Sequence, residues 1–256
     1  MRWDPSQYGR FAVERGRPFL DLVARIGAEA PRRVVDLGCG TGELTALLAA
    51  RWPDATVEGI DSSTEMIAKA RALDAAVTFS LVDVATWAPP DDVDVIVSNA
   101  VLQWVPTHRV LLASWASALP AGGWLAFQVP GNFDAPAHTA MRELAESPRW
   151  ADSLHDVLRH HDAVDEPSSY ARLLLVEGLE VDVWESTYLH VLRGPDAVLE
   201  WLRGTGLRPV LAALSPSDGE EFSAELAARL SRAYPPGERG TLFPFRRIFA
   251  VAHRPS

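Results

Sequence analysis

The chain has 256 residues, 48% of them hydrophobic, which is enough for a sizeable core without covalent staples. A formal charge of −10, from 24 Lys+Arg against 34 Asp+Glu, argues against a nucleic-acid or anionic-membrane surface. One cysteine excludes an internal disulfide and a multi-cysteine metal site. Lys69 is the only lysine among the basic residues. Either a compositional bias of the genome or a use of arginine forks to grip planar anions accounts for that.

The opening Met1–Tyr8 is polar and lacks the apolar run of a secretory signal. No apolar stretch reaches the roughly 18 residues of a membrane span, so a cytoplasmic location is expected. There is no internal repeat or low-complexity tract.

Leu20, Val23 and Ile26 recur at helical spacing and predict a helix over residues 18–29. Alternation of strand and helix then begins. Strands are expected at 32–37, 56–60, 77–82, 94–98 and 123–129, with helices through Leu44–Leu48, over 62–73 and over 106–119. Ser62 or Ser63 caps the second of these helices, with Glu65 in its first turn. Short connections between alternating elements indicate a parallel sheet with helices on both faces. Beyond Pro130, residues 131–178 read as mainly helical and acidic. A long strand at 179–192, helices at 195–203 and 218–234, and a closing strand at 245–252 complete the chain. About fifty residues separate the last two strands, too many for a bare hairpin loop, which predicts a helical insertion or lid. The expected organisation is one α/β domain with a helical cap at 1–30, a core at 31–130, and a substrate-selecting half at 131–256. That half carries helical insertions near 135–178 and 194–240.

The strongest motif is Val34-Val35-Asp36-Leu37-Gly38-Cys39-Gly40-Thr41-Gly42, at the end of the first strand. Glycines at alternate positions let the backbone turn sharply and approach a ligand closely. Amides at the start of the next helix favour a negative group. The spacing is not the G-x-G-x-x-G of dinucleotide-binding folds, and no Gly-Lys-Ser/Thr follows, which excludes a phosphate-gripping P-loop. Cys39 has no histidine neighbour and reads as a small spacer in the loop. The seven histidines show no zinc-helix spacing, and there is no G-x-S-x-G elbow, so no metal and no serine nucleophile are expected.

An acid two residues ahead of the first glycine makes this loop resemble that of the S-adenosylmethionine-dependent methyltransferases with a Rossmann-like seven-stranded sheet. The resemblance covers roughly residues 30–130. It implies that Asp36, Gly38, Cys39, Gly40 and Gly42 form the cofactor loop. It also implies that Asp61, with Ser62, meets the ribose hydroxyls, and that Asp83 and the Val84 amide meet the adenine. It further implies that Asn99, after the fourth strand, lies where the methionine moiety and the transferred methyl group are met. Met66 lies against the adenine or packs the core; Trp87 covers the base or packs its loop.

Further segments resemble the trans-aconitate 2-methyltransferase family: Trp3–Tyr8, Ser98–Pro106, Gln128–Asn132, Glu180–His190, Thr205–Pro209 and Phe245–Phe249. This implies monomethyl esterification of a small unsaturated tricarboxylate. A carboxylate, ionised at neutral pH with a pKa near ~4, is a sufficient nucleophile without a general base. Catalysis then rests on near-attack geometry and on a lid that excludes water. Residues 131–185 hold four arginines against twelve acids, whereas residues 186–256 hold nine against seven. The positive charge thus collects in the segment expected to cover the site. Arg208 and Arg247 are the candidate carboxylate forks, and Tyr188 the candidate neutral donor. Trp104, Tyr188 and Trp3 are candidate walls of the chamber, with Asn132 and Gln128 as further substrate contacts. Two features depart from the family pattern: the acidic, histidine-bearing stretch 142–172, and Arg246, which stands where the family has a proline. The rival readings are another methyltransferase of the superfamily, such as one acting on a malonyl carrier protein, and a non-catalytic cofactor-binding module.

Overall fold

The computed structural model describes residues 12–158 and 161–256. Its centre is a seven-stranded sheet in the order β3-β2-β1-β4-β5-β7-β6. The strands are β1 (Arg33–Leu37), β2 (Thr56–Asp61), β3 (Thr78–Leu81), β4 (Val95–Asn99), β5 (Trp124–Pro130), β6 (Glu180–Leu192) and β7 (Thr241–His253). The first five run parallel. β7 is antiparallel to both β5 and β6. This reversal follows from connectivity. β6 and β7 pair along their full thirteen-residue lengths, from Glu180 opposite His253 to Leu192 opposite Thr241. That pairing also makes the closing strand longer than its apolar run predicts.

Among the described residues the helices are α1 (Ala12–Val23), α2 (Glu43–Arg51), α3 (Thr64–Ala70), α4 (His108–Ala118), α5 (Pro136–Ala145), α6 (Ala151–Leu154), α7 (Pro167–Val176), α8 (Ala197–Arg203), α9 (Arg208–Ala213) and α10 (Pro216–Ala233). Period-two alternation along β1 explains the layers. Val34 joins Phe19, Leu22, Leu48 and Trp52 beneath α1 and α2, while Val35 joins Leu112, Trp115, Tyr170 and Leu174 beneath α4 and α7. A third core lies among α5, α8, α9 and α10 and the Phe243–Phe245 end of β7. The two helical insertions expected after β5 and β6 are both present, as α5–α7 and α8–α10.

Two local readings change, and one alternative is resolved. α1 starts earlier than predicted and runs through Pro18, and Leu20 is 53% exposed while Phe19 and Leu22 carry the buried face. Ser63 rather than Ser62 caps α3, its hydroxyl accepting from the Met66 amide at 3.3 Å. A 3₁₀ turn at Leu102–Trp104 precedes α4, so the predicted helix over 106–119 begins only at His108.

The unmatched acidic stretch holds the first insertion to the sheet. Asp165 takes both Arg109 nitrogens, Nε and Nη2, at 2.8 Å each. Glu166 accepts from Arg246 Nη2 at 2.6 Å, and Arg246 Nε also reaches Glu185 at 3.0 Å. Glu166 of the acidic stretch and Arg246 of β7 therefore meet in one ion-pair network with Glu185. Deeper in, His108 Nδ1 lies 3.0 Å from the Val105 carbonyl and donates to it. Nε2 then accepts the Tyr170 hydroxyl proton at 3.1 Å, and the phenol oxygen accepts the Asp165 amide at 3.1 Å. Burial lowers the pKa of His108, which keeps the ring neutral and this pattern intact.

At the other end of β1, Asp36 is 3% exposed and accepts from Thr45 Oγ1 of α2 at 2.6 Å. Burial raises its pKa to about 7; the Thr45 hydrogen bond opposes this and the charge of Asp61 adds to it. The folded chain keeps this proton up to about pH 7, while the unfolded chain releases it near 3.8. The stability it contributes is full below the unfolded value and is lost as pH rises through the folded one. Relative to Asp36→Asn, the wild type should lose about 10 °C of melting temperature between about pH 4 and about pH 8. Parallel melts of the two proteins isolate this group from the others that titrate. Tyr170→Phe should cost about 1–3 kcal/mol in denaturant unfolding, because it strands the buried His108 nitrogen and the Asp165 amide.

Candidate active site

The strand order reverses between β1 and β4, and the carboxyl ends of β1, β2 and β4 open there into a cleft of about 420 Å³. The glycine loop forms one wall. Gly38 has φ 81°, and a Cβ on it would sit 2.1 Å from Val101. Only glycine allows the loop to pack this tightly against the segment after β4. Gly40, at φ 56°, has open space where its Cβ would be, and the residue lines the cleft. The Gly38 and Cys39 amides donate to the Ile60 carbonyl at 2.8 and 2.9 Å.

Asp61 ends β2 at the cleft floor. Its Oδ2 accepts the Gly40 amide at 3.0 Å and its Oδ1 the Ser63 amide at 2.8 Å. Burial pushes its pKa up, and these backbone donors hold it down. Each oxygen keeps a second lone pair for a ligand. Ser62, Met66, Asp83, Val84 and Asn99 also line the cleft. Met66 and Val84 are 3% and 5% exposed and form an apolar ledge, while Asp83 caps a 3₁₀ turn by accepting the Ala85 amide at 2.9 Å. Trp87 lies outside this lining: it packs edge-on against Trp115 at 5.7 Å, and its carbonyl accepts the Trp115 indole N–H. Asp36 also lies outside it, beneath the loop. The Cys39 thiol is buried beside Asp36 and Asp61, and burial with these charges pushes its pKa far up, so it remains an unreactive spacer.

Asn99, Ala100 and Trp104 line this cleft and also a second, smaller chamber of about 80 Å³. The chamber lies under the two insertions and is walled by Asn132, Phe133, His138, Trp201, Phe245 and Arg247, among others. Arg247 is 6% exposed; its Nη1 donates to Gln128 Oε1 at 3.3 Å and its guanidinium lies 4.3 Å from the Phe245 ring centre. Asn132 is 4% exposed, and neither Oδ1 nor Nδ2 has a hydrogen-bond partner. Gln128 Nε2 is likewise unsatisfied. Such buried polar groups are costly unless a ligand completes them.

The structure brings Asn132, Trp104 and Arg247 to this chamber, with Gln128 behind Arg247. It does not bring Arg208 or Tyr188 there. Arg208 is half-buried at the start of α9. The Tyr188 hydroxyl donates to Asp21 of α1 at 2.5 Å; burial raises its pKa, and the bond to Asp21 adds to the rise. Trp3 lies outside the described residues. Sequence reasoning missed His138 and Gln103. Gln103 had a signal, being a polar residue in the apolar turn Val101-Leu102-Gln103-Trp104-Val105; His138 had none beyond its place in an amphipathic helix. Among the described residues no cluster of three His, Cys, Asp or Glu side chains suits a metal ion.

A family profile described as a methyltransferase domain matches residues 11–182. The trans-aconitate 2-methyltransferase of Streptomyces avermitilis is 55% identical over 98% of this chain and 97% of its own length. The proteins of the same name from a Mycobacterium species and from Rhodococcus jostii are 54% and 55% identical, each over 98% of both chains. Among solved structures, a putative methyltransferase from Bacillus halodurans superposes with a TM-score of 0.58 at 15% identity, over 94% of this chain and all of that one. The phosphoethanolamine N-methyltransferase 2 of Haemonchus contortus, solved with S-adenosylmethionine, gives 0.54 at 18% identity over 94% of this chain and 53% of that one. These two likenesses speak for the fold: a Rossmann-like methyltransferase sheet. Near-full-length identity above one half speaks for more, and the chain belongs to the trans-aconitate 2-methyltransferase family.

Proposed function

We propose that this protein is an S-adenosylmethionine-dependent carboxyl O-methyltransferase that forms the monomethyl ester of trans-aconitate in the cytoplasm. The observation that carries the reading is the pairing of two joined cavities of opposite character. One is acid-floored beside a glycine loop; the other is lined by a buried arginine steadied by Gln128. Near-full-length relatives of that name support the substrate.

The first cavity fits the cofactor. Gly40 leaves room for a close backbone approach, Asp61 retains acceptor capacity for two ribose hydroxyls, and Met66 with Val84 offers an apolar ledge for a base. In this reading Asp83 and the Val84 amide meet the base, Ser62 joins Asp61 at the ribose, and Asn99, which lines both cavities, faces the methyl group. When bound, S-adenosylmethionine supplies an electrophilic methyl group; no metal enters this reading. In this division residues 31–130 hold the cofactor and residues 131–256 select the substrate.

The second cavity suits an anion. A guanidinium buried in a chamber wall attracts an incoming carboxylate more strongly than one in water, because little solvent screens the pair. Arg247, steadied by Gln128, receives one substrate carboxylate, and Asn132 completes its unsatisfied amide on another polar group. The reacting carboxylate is ionised at neutral pH and needs no base. The protein's task is to orient it toward the Asn99–Ala100–Trp104 opening, with Trp104, Trp201 and Phe245 keeping water out. Arg208 and Tyr188 serve this reading only from outside the chamber wall.

Two measurements test it. A methyl-transfer assay over a panel of di- and tricarboxylates, with mass spectrometry of the products, should give a monomethyl ester of trans-aconitate in preference to the others. No ester at millimolar trans-aconitate overturns the substrate. Arg247→Ala should raise the KM for trans-aconitate roughly ten- to a hundredfold, as expected for loss of a charged hydrogen-bonding partner. S-adenosylhomocysteine affinity, followed by calorimetry, should change little. An Arg247→Ala protein that differs only in melting temperature removes the arginine from the site.

A further inference from the structure

Ala100 separates the two cavities, and its backbone is in an unfavourable state. Its φ is 58°, in the left-handed region. The other non-glycine residues found there among the described residues are Asp156 and Asp196, whose side chains can hydrogen-bond locally; alanine has no such compensation. Strain of this kind persists only when the surroundings over-determine it. Here both faces of the residue are pinned. The Ala100 amide donates to the Gln128 carbonyl of β5 at 2.8 Å, and the Ala100 carbonyl accepts from Gln103 Nε2 at 2.6 Å.

The consequence is positional. The left-handed turn drives Val101 onto Gly38, where no Cβ fits, and sets Asn99 and Trp104 at the junction of the cleft and the chamber. A right-handed Ala100 would re-aim all three. Gln103, 7% exposed, reaches this carbonyl from three residues further along the chain, in the 3₁₀ turn.

We propose that Gln103 is a positioning residue whose side-chain amide holds Ala100 in the left-handed conformation and so fixes the wall through which the methyl group passes. The kinetic part of this inference rests on the proposed esterification; the conformational part does not.

The test is a cycle of Gln103→Met, Ala100→Gly and the double variant, read by kinetics and by hydrogen exchange at the residue 100 amide. Gln103→Met should lower kcat about five- to thirtyfold, the factor that corresponds to the left-handed penalty of a non-glycine residue. It should change the KM for trans-aconitate less than kcat, and should speed exchange of the Ala100 amide. In the Ala100→Gly background, where no penalty exists, both effects of Gln103→Met should shrink to less than about threefold. Equal effects in the two backgrounds, or unchanged exchange, overturn the clamp. If the wild type makes no ester of trans-aconitate, the substrate reading fails, and the exchange data still decide for or against the clamp. If Gln103→Met does not fold, Ala100→Gly decides alone. A raised melting temperature supports the strain, and a lowered one refutes it.

Discussion

Two backbone amides, those of Gly40 and Ser63, converge on the carboxylate of Asp61, and the geometry of the cleft depends on that convergence. One amide belongs to the loop after β1, the other to the cap of α3. A single side chain at the end of β2 thus fixes two adjacent βα turns relative to each other. The Ile60 carbonyl reinforces the link by accepting from Gly38 and Cys39. Burial works against the charge on Asp61, and the donors work for it. A cationic ligand group arriving nearby would favour the ionised form further. The residue that shapes the cleft is therefore the one best prepared to feel a ligand enter it.

Position, more than residue type, separates the arginines. Arg246 and Arg247 are neighbours on β7 and face opposite sides of the sheet, as period two requires. Arg246 is taken up by Glu166 and Glu185 and by the Gly131 carbonyl, an arrangement that braces the first insertion. Arg247 turns into the chamber, where it meets the amide oxygen of Gln128 and the ring of Phe245. The negative total charge of the chain conceals this division. Acids in the stretch 142–172 act as braces, with Asp165 on Arg109 and Glu166 on Arg246, and so are spent outside the chamber.

What could be read from the sequence follows the range of the interactions involved. The glycine loop, the buried Val-Ile-Val of β4 and the serine cap of α3 are local patterns, and each forms where it was expected. Asp61, Met66 and Val84 line the cleft because strand ends in a parallel sheet gather at one edge. Tyr188 and Arg208 could not be judged this way. The Tyr188 hydroxyl is claimed by Asp21, 167 residues earlier, and nothing local to either residue announces that meeting. Arg208 sits at the start of a short helix whose orientation is set by the third core. The antiparallel entry of β7 is equally non-local. Gln103 was visible as a polar residue in an apolar turn, but its purpose emerges only once the φ of Ala100 is known.

The place of β7 in the sheet has a consequence for how this enzyme family can vary. Binding residues in α/β enzymes commonly sit on loops, which tolerate insertion and drift. Arg247 instead belongs to an interior strand, hydrogen-bonded to β5 on one side and β6 on the other. A slip of one residue in that strand would carry Arg247 to the far face and bring a neighbour into the chamber. If Arg247 receives a substrate carboxylate as proposed, anion preference is thereby written into strand register. On that proposal, a change of substrate class that leaves the sheet intact has to begin in the helical insertions that roof the chamber.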